Sequence, residues 1–253
     1  MPLFIKREEE KMRFHSFIFN WKGQYENAKS KETHLKSLGV KVTVINSDDT
    51  SVSLEPNWVH VGETSYFTAQ FLKAIELFDG DIFFHVQADA SYENWSQLFE
   101  DALKYYTKYN WGIYAPNVNY TWYGPELTDI PQVVFQGNEN LRLVACPDCT
   151  CWFIHKDIIN QFRDRKIDMS PYHMGWGWDI VLPGISYLKQ RLVLRDYAHT
   201  IHHPRGTGYN TEQAEKEMFE LFRSLPDDLR RVFSYIKGDR LGLINVLIGE
   251  KNV

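Results

Sequence analysis

Cysteine is scarce and confined: the chain has three, all between positions 146 and 151. That is too few and too close for a disulfide framework, and it fits a reducing compartment. No run approaches the ~18 consecutive apolar residues of a membrane-spanning helix. The first ten residues place Lys6-Arg7-Glu8-Glu9-Glu10 directly behind a short apolar start, so no secretory signal is expected and the expected location is cytoplasmic. Basic charge is not in excess either. The 28 Lys and Arg against 33 Asp and Glu leave a net charge of −5, with no Lys/Arg block suited to tracking a phosphate backbone. This balance disfavours nucleic acid as a partner without excluding it. No repeat, low-complexity tract or Gly/Ser/Pro linker divides the 253 residues. At 43% hydrophobic and 24% charged, the composition excludes disorder and collagen-like structure. What is abundant is aromatic: 8 Trp, 14 Tyr and 16 Phe, rings that fill cores and also stack on sugars and bases.

Periodicity divides the first half into alternating elements. Phe14–Phe19 reads as a strand, Tyr25–Leu38 as a surface helix stopped by Gly39, and Val40–Ile45 as a β-branched, alternating strand ended by Ser47-Asp48-Asp49. Phe67, Phe71, Leu72, Ile75 and Phe78 mark one helical face. Ile82–Val86 is a nearly continuous apolar run suited to a buried central strand. Trp95, Leu98, Phe99, Ala102, Leu103 and Tyr106 form the clearest helical stripe in the chain. Strands are expected again at 111–118, 141–146, 150–155 and 192–197, and helices at 156–163 and 178–190. After about residue 210 the chain turns helical, over Glu212–Arg223, Leu229–Ile236 and Leu241–Ile248. These 43 residues (211–253) bury too little surface to fold alone, so they are expected to cover a domain spanning 1–210. Strand–helix alternation implies right-handed crossovers and a parallel core sheet, with ligands beyond the carboxyl ends of the strands.

Four groups of residues can carry chemistry. Gln87-Ala88-Asp89-Ala90 follows the buried strand, where a carboxylate beside a diphosphate can hold a hard cation, or can simply cap the next helix. The segment from His199 to Tyr209 holds His199, His202 and His203, then Arg205 and Tyr209, which are suited to Mn²⁺ and a pyrophosphate; a solvated surface loop is the bland alternative. Gly175-Trp176-Gly177-Trp178-Asp179 offers indole platforms, close backbone approach and a carboxylate that can accept a hydroxyl proton, against an alternative of core tryptophans and a helix cap. Cys146-x₂-Cys149-x-Cys151-x₃-His155 contains four potential zinc ligands. A strand over 150–155 would spread them along one face, and buried small hydrophobes are the better reading.

The order of these features resembles the metal-dependent GT-A glycosyltransferases, in particular the inverting family-2-like group. The resemblance spans about residues 13 to 210 and implies an α/β, Rossmann-like central mixed sheet flanked by helices, here with a C-terminal helical extension. It implies that Asn20 and Asp48 or Asp49 hold the nucleobase and that Gln87 and Asp89 stand where the family has its Asp-x-Asp motif. By the same resemblance Asp89 with His202 or His203 binds Mn²⁺ or Mg²⁺, Trp176, Gly177 and Trp178 shape the sugar and acceptor pocket, and Asp179 is the general base. The donor implied is a nucleotide sugar, a UDP-sugar first. The acceptor stays open among saccharides, glycolipids, protein side chains and a hydroxylated nucleobase. One departure stands out: the first acid of the motif is Gln87, which can still hydrogen-bond a ribose but leaves the motif one negative charge short. The competing reading is a non-catalytic carbohydrate- or nucleotide-binding protein on the same fold.

Overall fold

The computed structural model describes residues 12–121, 124–130, 133, 135–204 and 210–237. In chain order the elements are β1 (Phe14–Asn20), α1 (Tyr25–Ser37), β2 (Lys41–Asn46), a 3-10 turn at Asp49–Ser51, β3 (Val59–His60), α2 (Phe67–Leu77), β4 (Ile82–Gln87), α3 (Trp95–Tyr109), β5 (Ile113–Val118), α4 (Pro125–Thr128), β6 (Leu141–Leu143), β7 (Cys151–His155), α5 (Lys156–Arg165), α6 (Trp178–Leu188), β8 (Val193–Ile201), α7 (Thr211–Ser224) and α8 (Asp227–Lys237). The eight strands form one sheet in the order β3-β2-β1-β4-β7-β5-β8-β6. β1 to β4 pair in parallel, β7 runs antiparallel between β4 and β5, β5 and β8 are parallel, and β6 is antiparallel on β8. The sheet is therefore mixed, with most of its parallel pairs in the first half.

Alternation along the central strands builds two cores, one on each face of the sheet. Phe17, Phe19, Phe83, Trp152 and Ile154 point to one face, where Phe71 of α2, Ile159 of α5, Trp178 of α6 and Phe222 of α7 meet them. Ile18, Phe84, Val86, Cys151 and Phe153 point to the other, against Ala28 and Leu35 of α1 and Leu98, Phe99 and Ala102 of α3. Both sides of β4 are buried, which is why its sequence is apolar without a break. Aromatic rings interlock these layers: Phe71 and Trp178 lie 4.5 Å apart between centroids, and Phe84 and Phe153 lie 4.4 Å apart.

Two expectations shift in detail. The last strand runs on to Ile201, past an irregularity where Pro116 and Asn117 of β5 pair with Asp196 and Thr200, so His199 belongs to β8 and not to a loop. Its ring is held by Tyr92 Oη at 2.7 Å and Asp101 Oδ2 at 3.1 Å. The strand expected at 141–146 shortens to Leu141–Leu143, after which the chain turns toward the carboxyl end of β4. In the tail, Met218, Leu221 and Phe222 of α7 and Leu229 of α8 join the first core, and Arg165 of α5 grips Asp228 through two hydrogen bonds. The helix expected at Leu241–Ile248 lies outside the described residues. Among the described residues, no helix is long and apolar enough to cross a membrane.

Three buried histidines make this fold acid-sensitive. Burial, with Lys41 adding to it against Asp79, lowers the His15 imidazole to about 4. Burial, with Arg191 adding to it against Asp157, lowers His155 to about 4, and burial lowers His85 to about 3. Each folded value lies below the ordinary value near 6.5, so stability is complete above that pH and is lost as pH falls toward the folded values. Each histidine contributes a slope of up to about 1.4 kcal/mol per pH unit in that window. We expect the melting temperature to change little between about pH 7 and 8 and to fall from about pH 6.5 downward. His85→Leu should flatten that acid limb by roughly a third. A limb that begins only near pH 4, in the carboxylate range, would contradict this account.

Candidate active site

A cleft of about 680 Å³ opens beyond the carboxyl ends of β1 and β4. Ser47 after β2, Phe67 and Gln70 of α2, and Gln87 and Asp89 after β4 line it. The loop Cys146–Thr150, Gly175 and Trp176 before α6, Asp179 in its first turn, His203 after β8 and Met218 of α7 complete the walls. The crevice thus lies where parallel strands end, as an α/β sheet of this kind leads one to expect.

The turn after β4 is tied from several sides. Gln87 N donates to Thr150 O (3.0 Å), Ala88 N to Phe19 O (3.0 Å), and Ala90 N back to Gln87 O (3.2 Å). Ser91 and His202 exchange two main-chain hydrogen bonds of 2.8 and 2.9 Å. That bridge brings the end of β8 beside the turn, and His203 Nε2 lies 3.5 Å from Asp89 Oδ2. The other carboxylate oxygen, Asp89 Oδ1, is buried with no hydrogen-bond partner among the described residues. Burial opposes charging the His203 imidazole, but the Asp89 carboxylate, the Asp148 charge and the Tyr120 main chain outweigh it and hold His203 above its ordinary value. His202 points elsewhere: it is exposed, absent from the cleft wall, and its Nδ1 lies 2.6 Å from Asn119 Nδ2.

Asp179 stands in the first turn of α6, where Gly177 N donates to its Oδ1 at 3.1 Å. The preceding loop needs its glycines. Gly175 and Gly177 have φ of +89° and +108°, and a Cβ would meet the Phe67 ring at 2.6 Å and Leu221 Cδ2 at 2.3 Å respectively. Trp176 is half-buried in the cleft wall, whereas Trp178 is wholly buried. Trp178 packs on Phe71 and Phe162 and its Nε1 donates to Thr68 Oγ1 (3.2 Å), so it is a core residue and not a pocket platform. Gly177 likewise caps α6 from inside, against α7, and does not line the cleft.

The residues expected to hold the nucleobase are placed differently too. Asn20 is fully buried under the cleft; its Nδ2 donates to Asn46 Oδ1 (2.8 Å), which locks the ends of β1 and β2 together. Asp48 is buried and caps the 3-10 turn through Thr50 N (3.0 Å) and Thr50 Oγ1 (2.7 Å). Asp49 faces outward and pairs with His60 (2.9 Å). None of the three lines the cleft. Arg205 and Tyr209 lie outside the described residues.

Several cleft residues carry no sequence signal at the positions above. Gln70 sits on the apolar face of α2 and donates to Asn20 O (2.8 Å) and Ile45 O (3.1 Å), which fixes the strand ends behind Ser47. A polar residue inside an apolar stripe was the available clue. Arg195 of β8, almost fully buried, bonds Asp129 Oδ1 (3.0 Å), Thr128 Oγ1 (2.9 Å) and Cys146 O (3.3 Å), and so holds the Cys146–Thr150 loop in the wall. Asp148 in that loop caps Thr150 N at 2.8 Å. The cysteines serve this loop and the sheet. Cys146 and Cys151 are buried, and burial, then Asp179 and Asp148, push the Cys149 thiol well up. His155 lies at the far end of β7, capping α5 through Asp157 N. Among the described residues, no group of three or more His, Cys, Asp or Glu side chains is arranged to hold a metal by itself.

No family model matches the chain, and neither does any curated protein sequence. Solved structures do. The S. aureus protein TarS (residues 1–349, in complex with UDP-GlcNAc) superposes with a TM-score of 0.56 at 12% identity, covering 92% of this chain and 73% of TarS. GalNAc-T7, solved with UDP, GalNAc and Mn²⁺, gives 0.57 at 11% identity over 92% of this chain, which spans only 52% of that protein. The mannosyltransferase PcManGT from Pyrobaculum calidifontis, with GDP-Man and Mn²⁺, gives 0.54 at 9% identity, covering 96% and 76%. At these identities the likeness establishes the fold, and the fold is that of the GT-A glycosyltransferases.

Proposed function

We propose that this chain is a metal-dependent glycosyltransferase that moves a sugar from a nucleotide sugar to an acceptor hydroxyl. One observation carries the reading. A single cleft at the strand ends holds Asp89, one oxygen of which faces His203 while the other is buried with no partner among the described residues, together with Asp179 at the start of a helix. The neighbours support it: TarS was solved with UDP-GlcNAc, GalNAc-T7 with UDP and GalNAc, and PcManGT with GDP-Man. With UDP in two of the three, a UDP-sugar is the donor we take first. Residues 1–210 are read as the donor-binding and catalytic unit, and 211–253 as an extension packed on it.

The donor set fits Mn²⁺ or Mg²⁺. Asp89 supplies a carboxylate oxygen that lacks any other partner among the described residues, and His203 a ring nitrogen, which is a reasonable pair for Mn²⁺. Two protein ligands leave most of the coordination to diphosphate oxygens and water, as is usual for such cations at phosphates. The ion would neutralise charge growing on the departing diphosphate. Gln87, also in the wall, is suited to hydrogen-bonding the ribose. Asp179 removes the proton of the acceptor hydroxyl as that oxygen bonds to the anomeric carbon and the bond to the diphosphate oxygen breaks. Attack from the opposite face inverts the configuration. Trp176 offers an indole face to a sugar ring and helps exclude water that would hydrolyse the donor.

Three substitutions test this. Asp179→Asn keeps the side-chain shape and should leave the melting temperature and nucleotide affinity nearly unchanged while transfer falls roughly 10²–10⁴-fold; transfer within a few-fold of wild type would remove Asp179 as the base. In calorimetric titrations, Asp89→Ala should abolish the gain in UDP or GDP affinity that Mn²⁺ provides, and an unchanged gain would take Asp89 out of the site. His203→Ala should lose most of the same gain while His202→Ala retains it, because only His203 faces the cleft. Equal losses in both variants would contradict that assignment.

A further inference from the structure

Lys31 is the anomaly of the other core. It lies in the middle of α1, buried alongside Ala28 and Leu35, yet it is a lysine. Lysine is almost never buried unless paired, and among the described residues no carboxylate forms an ion pair with it. Its ammonium instead donates to the main-chain oxygen of Ala90 at 2.5 Å and stands 5.5 Å from the centroid of the Trp95 ring. Burial lowers its titration to about 8, against the pull of the Cys151 and Asp89 charges, so at neutral pH it is still mostly protonated. A buried cation without an ion-pair partner costs stability. Core packing would be served as well by methionine.

Its position suggests what that cost serves. Ala90 follows Asp89, and the hydrogen bonds holding this turn from the sheet reach Gln87, Ala88 and Ser91. Among the described residues, Ala90 O is reached only from α1, by Lys31. We propose that Lys31 is a positioning residue, which acts through the Ala90 carbonyl to hold the Asp89 carboxylate in register with His203. Lys31 does not line the cleft, so it touches neither donor nor acceptor. Without it, Ala90 O is a buried acceptor with no partner, and the turn must shift to find one. A carboxylate and an imidazole already 3.5 Å apart tolerate little shift before they cease to serve one ion. The inference rests on the metal site proposed above.

The sign of the effect separates this role from simple charge. Losing a cation near a divalent ion would tighten Mn²⁺ binding, whereas losing the tether loosens it. The test is calorimetric titration of UDP and of GDP, with and without Mn²⁺, into wild type and Lys31→Met, alongside melting temperatures. The readout is the ratio of metal-free to metal-supported Kd, in which any general damage to the nucleotide pocket cancels. We expect Lys31→Met to keep the metal-free Kd and to lower the ratio about tenfold, the lower end of losses for residues supporting a metal ligand. A ratio equal to or above that of wild type overturns the proposal, whatever the melting temperature does, since a purely structural lysine would move only the latter. Should Lys31→Met fail to fold, Lys31→Gln, which keeps an amide donor on a shorter stem, takes its place. A reduced ratio there supports the tether, and an unreduced one overturns it. If wild type itself shows no Mn²⁺ effect with either nucleotide, the metal site and this inference fall together; a wild-type effect that survives in the variant removes the inference alone.

Discussion

The cleft depends on where β4 stops. That strand is buried on both faces and paired on both edges, with β1 in parallel and β7 antiparallel. Nothing along its length can shift without disturbing two cores. The turn at its end inherits that rigidity and passes it on through main-chain bonds to β1, β7 and the end of β8. Because the Ser91–His202 bridge fixes the register of the β8 end, His203 has a defined place opposite Asp89. A site for a cation and a diphosphate requires that sort of preorganisation, since the ligands must already converge when the charge arrives.

The rest of the cleft is built on weaker supports. The Cys146–Thr150 loop is held by Arg195, a guanidinium whose charge is balanced by Asp129 and whose other donors reach Thr128 and Cys146. The Gly175–Asp179 loop is held by α7: Glu217 Oε2 accepts from Met174 N at 2.8 Å, and Leu221 fills the space that a side chain at Gly177 would need. The C-terminal helices thereby shape the wall that carries Asp179 as well as covering the core. Truncating them would be expected to loosen the base before it unfolded the sheet.

The fold was largely legible in the sequence because its signals are cumulative. Ile82–Val86 and the stripe from Trp95 to Tyr106 each carry several apolar residues in phase, and tertiary packing agrees with them. Single polar residues were harder to place. Neighbours in an extended chain point to opposite sides, so whether His202 or His203 enters the cleft depends on a register that no local pattern encodes. Trp176 and Trp178 straddle Gly177, whose positive φ sends one ring to the wall and the other into the core. Asn20 and Asp48 sit at strand ends, as nucleobase ligands should, but a polar group there can equally tie the strands together, and in this chain it does. Lys31 and Arg195 carry no local signal because a charged residue within a helix or strand reads as surface until its partners are known, and Gln70 offers only its place inside an apolar stripe.

The most direct test of the account is the thermal stability of the unaltered protein with nucleoside diphosphates, Mn²⁺, and the two together. Binding to the folded state alone raises stability by about 2.7 kcal/mol at a ligand concentration 100 times Kd. The account predicts that UDP or GDP with Mn²⁺ raises the melting temperature by several degrees, and by more than the sum of the shifts produced by either alone, because the ion and the diphosphate complete one another's coordination. No shift with any nucleoside diphosphate, or a shift indifferent to Mn²⁺, would contradict it.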